Sequence, residues 1–242
     1  MRKATALASL ALCCMLESAE RAHVFSDEDK SWWAIQPVTD PEIPSHGENW
    51  GRNEIDRFVA RKLDQAKLSP APAAGPRELV RRVYFDLHGL PPTPEQVETF
   101  LTAHQKNSDE AYEKLIEELL ASPRYGERWA THWLDVARYA DSDGYRADDF
   151  RLGAHLYRDY VIKSLNADKP YDQFIREQLA ADEFAPNEPE ILIATAFLRH
   201  GVYEWNQREA RMQREIMLNE ITKVTGEAFL GLGIGCAQCH DH

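Results

Sequence analysis

The sequence predicts an all-α, multi-helix fold, and three observations carry that prediction. Apolar residues recur at spacings of three and four through most of the chain, the period of a buried helix face. No alternating apolar–polar run exceeds four residues, so a half-buried strand has no template. Proline and small polar residues stand just ahead of the apolar stripes, where helices start.

The elements follow in order. Residues 1–22 are expected to be a signal peptide. Met1-Arg2-Lys3 is a basic start, and Ala4 to Leu16 is an apolar run too short to cross a bilayer. Ala19 or Ala22 offers the cleavage point, although Glu17 and Glu20 stand where a small residue is usual. Neither Cys13 nor Cys14 follows the small residue that lipid attachment requires. Residues 23–52 read as an extended arm, because Pro37, Pro41 and Pro44 block a continuing helix. Trp32, Trp33 and Ile35 are the apolar anchors expected to pin it.

Residues 53–233 read as a helical domain. Asn53 is a plausible N-cap, followed by Ile55, Phe58, Val59 and Leu63 on one face. A loop at Ser69–Pro76 leads to the stripe Leu79, Val80, Val83, Leu87. Thr93, Pro94 and Gln96 then give a cap, a first-turn proline and a capping-box partner. Further helical runs cover Ala111–Leu120, the stretch after Ser122-Pro123, Tyr157–Leu165, Phe174–Leu179, Ile191–Leu198 and Ile216–Phe229. The count is around nine helices. Residues 234–242 begin an attachment segment with chemistry of its own.

Composition narrows the function. Forty acidic residues against 28 basic give a net charge of −12. Phosphate binding needs clustered Lys and Arg, so nucleic acid is not an expected partner. No transmembrane helix is expected once the signal is removed. Removing residues 1–22 also leaves Cys236 and Cys239 as the remaining cysteines, within the closing sequence GCAQCHDH.

That C-x-x-C-H spacing has a definite logic. Two thiols one turn apart can form thioethers with the two vinyl groups on one edge of haem. The adjacent His240 is then placed as axial ligand and metal-binding residue. Gly231, Gly233 and Gly235 give the backbone freedom to wrap a flat ring. A zinc site using Cys236, Cys239 and His240 or His242 remains open, as does a disulfide. A sixth iron ligand is undecided; Met212, Met217 and His200 are the candidates in the chain.

Two further stretches carry weaker signals. In ADSDGYRADDF, Asp141, Asp143 and Gly144 match three positions of a calcium loop. Tyr139 and Phe150 stand where the first and last acidic ligands belong, so an EF-hand is not expected, and any calcium binding should be weak. Trp129, His132, Trp133, Val136 and Ala140 share one helix face, normally a core stripe. The sharper alternative is a stacking platform for a polysaccharide. His132 and Asp135, three apart, would be the acid–base pair of such a hydrolytic module.

Six stretches also occur in a recognisable order: WWAIQPV, NEIDRFVARKL, FDLHGLPPTPEQVETFL, YGERWATHWLDVARYADSDGY, YRDYVIKSLNADKPYDQFIREQLAAD and AFLGLGIGCAQCHDH. With these the chain resembles the large secreted, cytochrome-associated proteins of planctomycetes that carry domain of unknown function 1549. The resemblance implies export to the periplasm or cell surface, covalent haem c on Cys236 and Cys239, and a redox partner protein. It implies electron transfer, or the redox module of a larger secreted protein, without defining a substrate. Similar proteins continue past the point where this chain stops, so the chain is expected to be a fragment.

Overall fold

The computed structural model describes residues 25–47, 50–145, 148–203 and 209–239. The expected signal peptide, His240 and His242 lie outside the described residues. Among the described residues there are ten α-helices, several shorter helical turns and no strand. The one β-like pairing is a bridge between Ser142 and Phe150. The all-α expectation holds. The chain divides into two compact units between Pro72 and Ala73.

In the first unit the arm is less extended than its prolines suggested. Helix α1, Asp27–Lys30, forms before the first of them. Ser26 and Asp29 cap each other's backbone N–H groups at 3.1 and 2.8 Å, which satisfies donors that a short helix otherwise leaves open. A 3₁₀ turn follows at Trp33–Ile35. The intended anchors stay exposed, Trp33 at 81% of its surface. Helix α2, Glu54–Gln65, starts at Asn53, whose side chain accepts from the Asp56 N–H at 3.1 Å.

The second unit holds two apolar cores. Helices α3 (Pro76–His88), α4 (Pro94–Lys106) and α5 (Ser108–Leu120) enclose Val80, Val83, Phe100, Leu115 and Leu119. The Thr93–Gln96 capping box at the start of α4 is formed as its sequence implies, with bonds of 2.7 and 3.3 Å. The second core is built by α6 (Pro123–Val136), α7 (Ala154–Asn166), α8 (Tyr171–Phe184) and a 3₁₀ run at Ile193–Arg199. Tyr157, Val161, Phe174, Ala194 and Phe197 fill it. Helix α6 approaches α7 closely at Gly126, whose N–H donates to Asn166 Oδ1 at 2.9 Å. A Cβ at Gly126 would stand 2.5 Å from that oxygen, so no larger residue fits there without a shift.

Three elements depart from continuous helix. The run after Pro189 is one α turn, α9 (Pro189–Leu192), that tightens into the 3₁₀ segment. Helix α8 is kinked at Ala180, where φ is −152° and ψ 24°. The final amphipathic run is α10, Ala210–Thr225, followed by a π turn at Gly226–Leu230. Periodicity reads Ile191–Leu198 and Ile216–Phe229 each as one run, and its Phe174–Leu179 run ends just before the kink at Ala180.

Candidate functional site

The end of the chain is organised around α10. After the π turn, Gly231 adopts a left-handed φ of +65°, and a 3₁₀ turn spans Ile234–Gln238. Ile234 packs onto Gly226, where an added Cβ would lie 2.5 Å from its Cδ1. Gly235 lies against the Lys223 side chain, its would-be Cβ 3.2 Å from Cδ. Both contacts hold the turn against the last turns of α10.

Cys236 and Cys239 sit on this turn as free, exposed thiols. The Cys239 N–H donates to the Cys236 carbonyl at 3.1 Å, which fixes the two residues one turn apart. A Cβ at Gly231 or Gly233 would meet nothing within 4 Å, so the approach to the turn is open. Two exposed thiols one turn apart are the donor set that a two-point thioether tether would need. His240, the expected axial and metal ligand, follows directly but lies outside the described residues. Among the described residues no three His, Cys, Asp or Glu side chains converge as a metal cluster.

The acidic stretch is tied up internally. The Tyr139 hydroxyl donates to Asp141 Oδ1 at 2.5 Å, and Arg151 Nε donates to Asp143 Oδ1 at 2.6 Å. Arg199 approaches the same Asp143 oxygen at 3.7 Å. Asp148 Oδ1 accepts from the Gly144 N–H at 3.0 Å. Burial, and then the bond to Asp141, push the Tyr139 phenol up to about 12. Asp141 and Asp143, the two carboxylates at calcium-loop positions, thus already serve protein donors, as does Asp148.

The aromatic face of α6 splits. Trp133 turns into the second core, where its Nε1 donates to the Tyr157 hydroxyl at 3.0 Å and to Gln178 Oε1 at 2.9 Å. Phe174 and Phe229 pack on its ring at 5.0 and 5.8 Å between centroids. Trp129 instead lies 40% exposed beside Tyr125 and His132. The two indoles do not form one stacking platform. His132 and Asp135 are both exposed on the helix surface.

Sequence reasoning missed a part-buried basic cluster around Gly201. Arg138 bonds Glu220 at 3.3 Å through Nη1, yet its Nε and Nη2 are buried without a hydrogen-bond partner. Arg151 donates from Nη2 to the Gly201 carbonyl at 2.6 Å, and its Nη1 is likewise unpartnered. His200 is 8% exposed between the rings of Tyr139 and Tyr157. Burial, reinforced by Arg151, Arg138 and Arg199, holds its imidazole down at about 4, so it is neutral at pH 7. Gly201 has φ +111°, and a Cβ there would lie 2.8 Å from Arg138 Nη1. No spacing rule links Arg138, Arg151 and Arg199, so only the fold could bring them together.

None of the described helices is long and apolar enough to cross a membrane. No curated protein and no solved structure matches the chain. One family does match, over residues 54–242, which includes the second unit, helix α2 and the CxxCH sequence. The chain belongs to that family, described as PSCyt2, protein of unknown function (DUF1549).

Proposed function

We propose that this is an exported c-type haem protein, acting in electron transfer or as the redox module of a larger secreted protein. The observation that carries the reading is the pair Cys236 and Cys239, two free, exposed thiols on a single turn. In this role each thiol contributes one thioether tether. The His240 imidazole binds the iron, and the glycines before Cys236 let the backbone pass close to the ring. Haem, when bound, supplies a one-electron iron couple. The reading places the protein in the periplasm or at the cell surface, where a redox partner protein would reach it.

The test is to produce the chain in a host that exports it and attaches haem c. After denaturation and acid–organic extraction the colour should stay with the polypeptide, because thioethers survive the loss of coordination. The double variant Cys236→Ala/Cys239→Ala should lose all of it. His240→Ala should keep the tethered haem but change its absorption spectrum. A colourless wild type with one zinc per chain would reject haem in favour of the zinc alternative.

A further inference from the structure

A cleft of about 670 Å³ is lined by the loop after α6, by Gly201 and Val202, and by one side of α10. That volume is in the range of small-molecule sites and far above what a single ion needs. Its lining is mixed. Val202 and Ile216 present exposed apolar surface, Val202 at 75% of its own. The lining also holds the half-buried Ser142 hydroxyl and Gln213 amide. Among the described residues neither of these side chains has a hydrogen-bond partner. A ligand there displaces solvent from both, and must return hydrogen bonds of both senses, because each group can donate and accept.

The charges narrow the ligand further. Glu220 accepts from Arg138 Nη1 at 3.3 Å, and Asp143 is held by Arg151 at 2.6 Å and by Arg199 at 3.7 Å. The other Arg138 nitrogens, Nε and Nη2, are shut off from solvent, so the cleft has no spare cation for an anionic ligand. Both carboxylates already face arginines, so a cationic ligand gains little either. The Arg138 bond engages Oε2 of Glu220 and leaves Oε1 as an acceptor. Tyr145 adds an aromatic surface to the lining, 59% exposed. It holds a left-handed φ of 59°, costly for a bulky residue, and such outliers concentrate at ligand sites.

We propose that this cleft binds a neutral carbohydrate, a short oligosaccharide segment. A sugar ring has apolar C–H faces and a rim of hydroxyls that both donate and accept. The faces cover Tyr145, Val202 and Ile216, and the hydroxyls reach Ser142, Gln213 and Glu220. Charge neutrality, polar groups of both senses and apolar walls thus select the same ligand class. The site is distinct from the Trp129–His132 face of α6. It goes beyond the haem reading and does not depend on Cys236 or Cys239.

The experiment titrates the full chain by calorimetry with cellobiose, maltose, xylobiose and the N-acetylglucosamine dimer. Glucuronate and glucosamine serve as the anionic and cationic controls. At least one neutral disaccharide should bind with a dissociation constant between micromolar and millimolar, and neither control should match it. Gln213→Ala should weaken that binding roughly fivefold, the loss of one neutral hydrogen bond. Alanine is the best helix former, so this variant keeps α10 intact. Tyr145→Ala should weaken it severalfold. Trp129→Ala and the double variant Cys236→Ala/Cys239→Ala should bind as the wild type does, which separates this site from α6 and from haem attachment. No binding of any of the four disaccharides at millimolar concentration would overturn the proposal. So would binding that Gln213→Ala and Tyr145→Ala leave unchanged, or that Trp129→Ala abolishes. Tighter binding of glucuronate or glucosamine would reject a neutral ligand.

Discussion

Glu177 is a buried carboxylate with both oxygens hydrogen-bonded. Its side chain is 1% exposed and accepts from Gln173 Nε2 at 2.7 Å, from the Tyr160 hydroxyl at 2.8 Å and from Lys169 Nζ. Burial alone would raise its pKa, but the bonds from Lys169, Gln173 and Tyr160 outweigh it and leave the carboxyl below its ordinary value. Removing one partner of such a pair leaves a charge stranded in the interior. Lys169→Met should therefore cost about 3–5 kcal/mol of stability by urea denaturation. Lys169→Met combined with Glu177→Leu should recover most of that loss, because the uncompensated charge is gone. A loss below about 1 kcal/mol in the single variant, the level of an exposed pair, would show that water reaches Glu177.

At the scale of the element, three helices share one ending. Helices α2, α6 and α7 each close with a Schellman pair of bonds: Leu68 to Leu63 at 2.9 Å, Tyr139 to Leu134 at 2.9 Å and Lys169 to Ser164 at 3.0 Å. The left-handed position that glycine usually takes is occupied instead by Lys67, Arg138 and Asp168, at φ 56°, 59° and 47°. Arg138 makes a distant contact from that position, its Nη1 donating to Glu220 at 3.3 Å. Asp168 has no comparable role and is unfavourable twice, once for its φ and once for placing a carboxylate at the negative end of α7. Asp168→Gly should raise stability by about 0.5–1 kcal/mol after the added flexibility of glycine in the unfolded chain is deducted. A lower urea midpoint in that variant would show that the Asp168 carboxylate makes a stabilising contact.

For the whole molecule, pH acts through His200. Its folded pKa of about 4 lies below the ordinary imidazole value of 6.5. Between these values the unfolded chain binds a proton that the folded chain refuses, so stability falls as pH drops from 6.5 to 4. The full difference is about 3 kcal/mol, at ~1.4 kcal/mol per pH unit. Above pH 6.5 the residue is neutral in both states and contributes no slope. Urea midpoints of wild type and His200→Phe, taken from pH 7.5 down to ~4.5, check this. The phenyl ring keeps the packing between Tyr139 and Tyr157, and the slope across that window should shrink sharply. Equal slopes would mean His200 titrates normally in the fold. Glu177 gives a second loss of the same sign, confined to pH below the ordinary carboxylate range.

Helices, caps and the thiol spacing are local properties, and the sequence determined them. Asn53, Thr93 and Ser122 each cap the helix their neighbours imply, because a cap needs only residues within three or four positions. The Cys236–Cys239 interval was legible for the same reason. Trp129 and Trp133 lie on one helical stripe, but only packing against Tyr157, Gln178 and Phe174 decided that Trp133 goes inward while Trp129 stays on the surface. Likewise the match of Asp141 and Asp143 to calcium-loop positions was legible and read as weak, but only the fold shows that Tyr139 and Arg151 donate to them. The cluster around Gly201 depends on Arg138, Arg151 and Arg199, up to 61 residues apart in sequence. Periodicity reports which side of an element is apolar; which distant charges meet there depends on how helices pack, and that information resides in the tertiary structure alone.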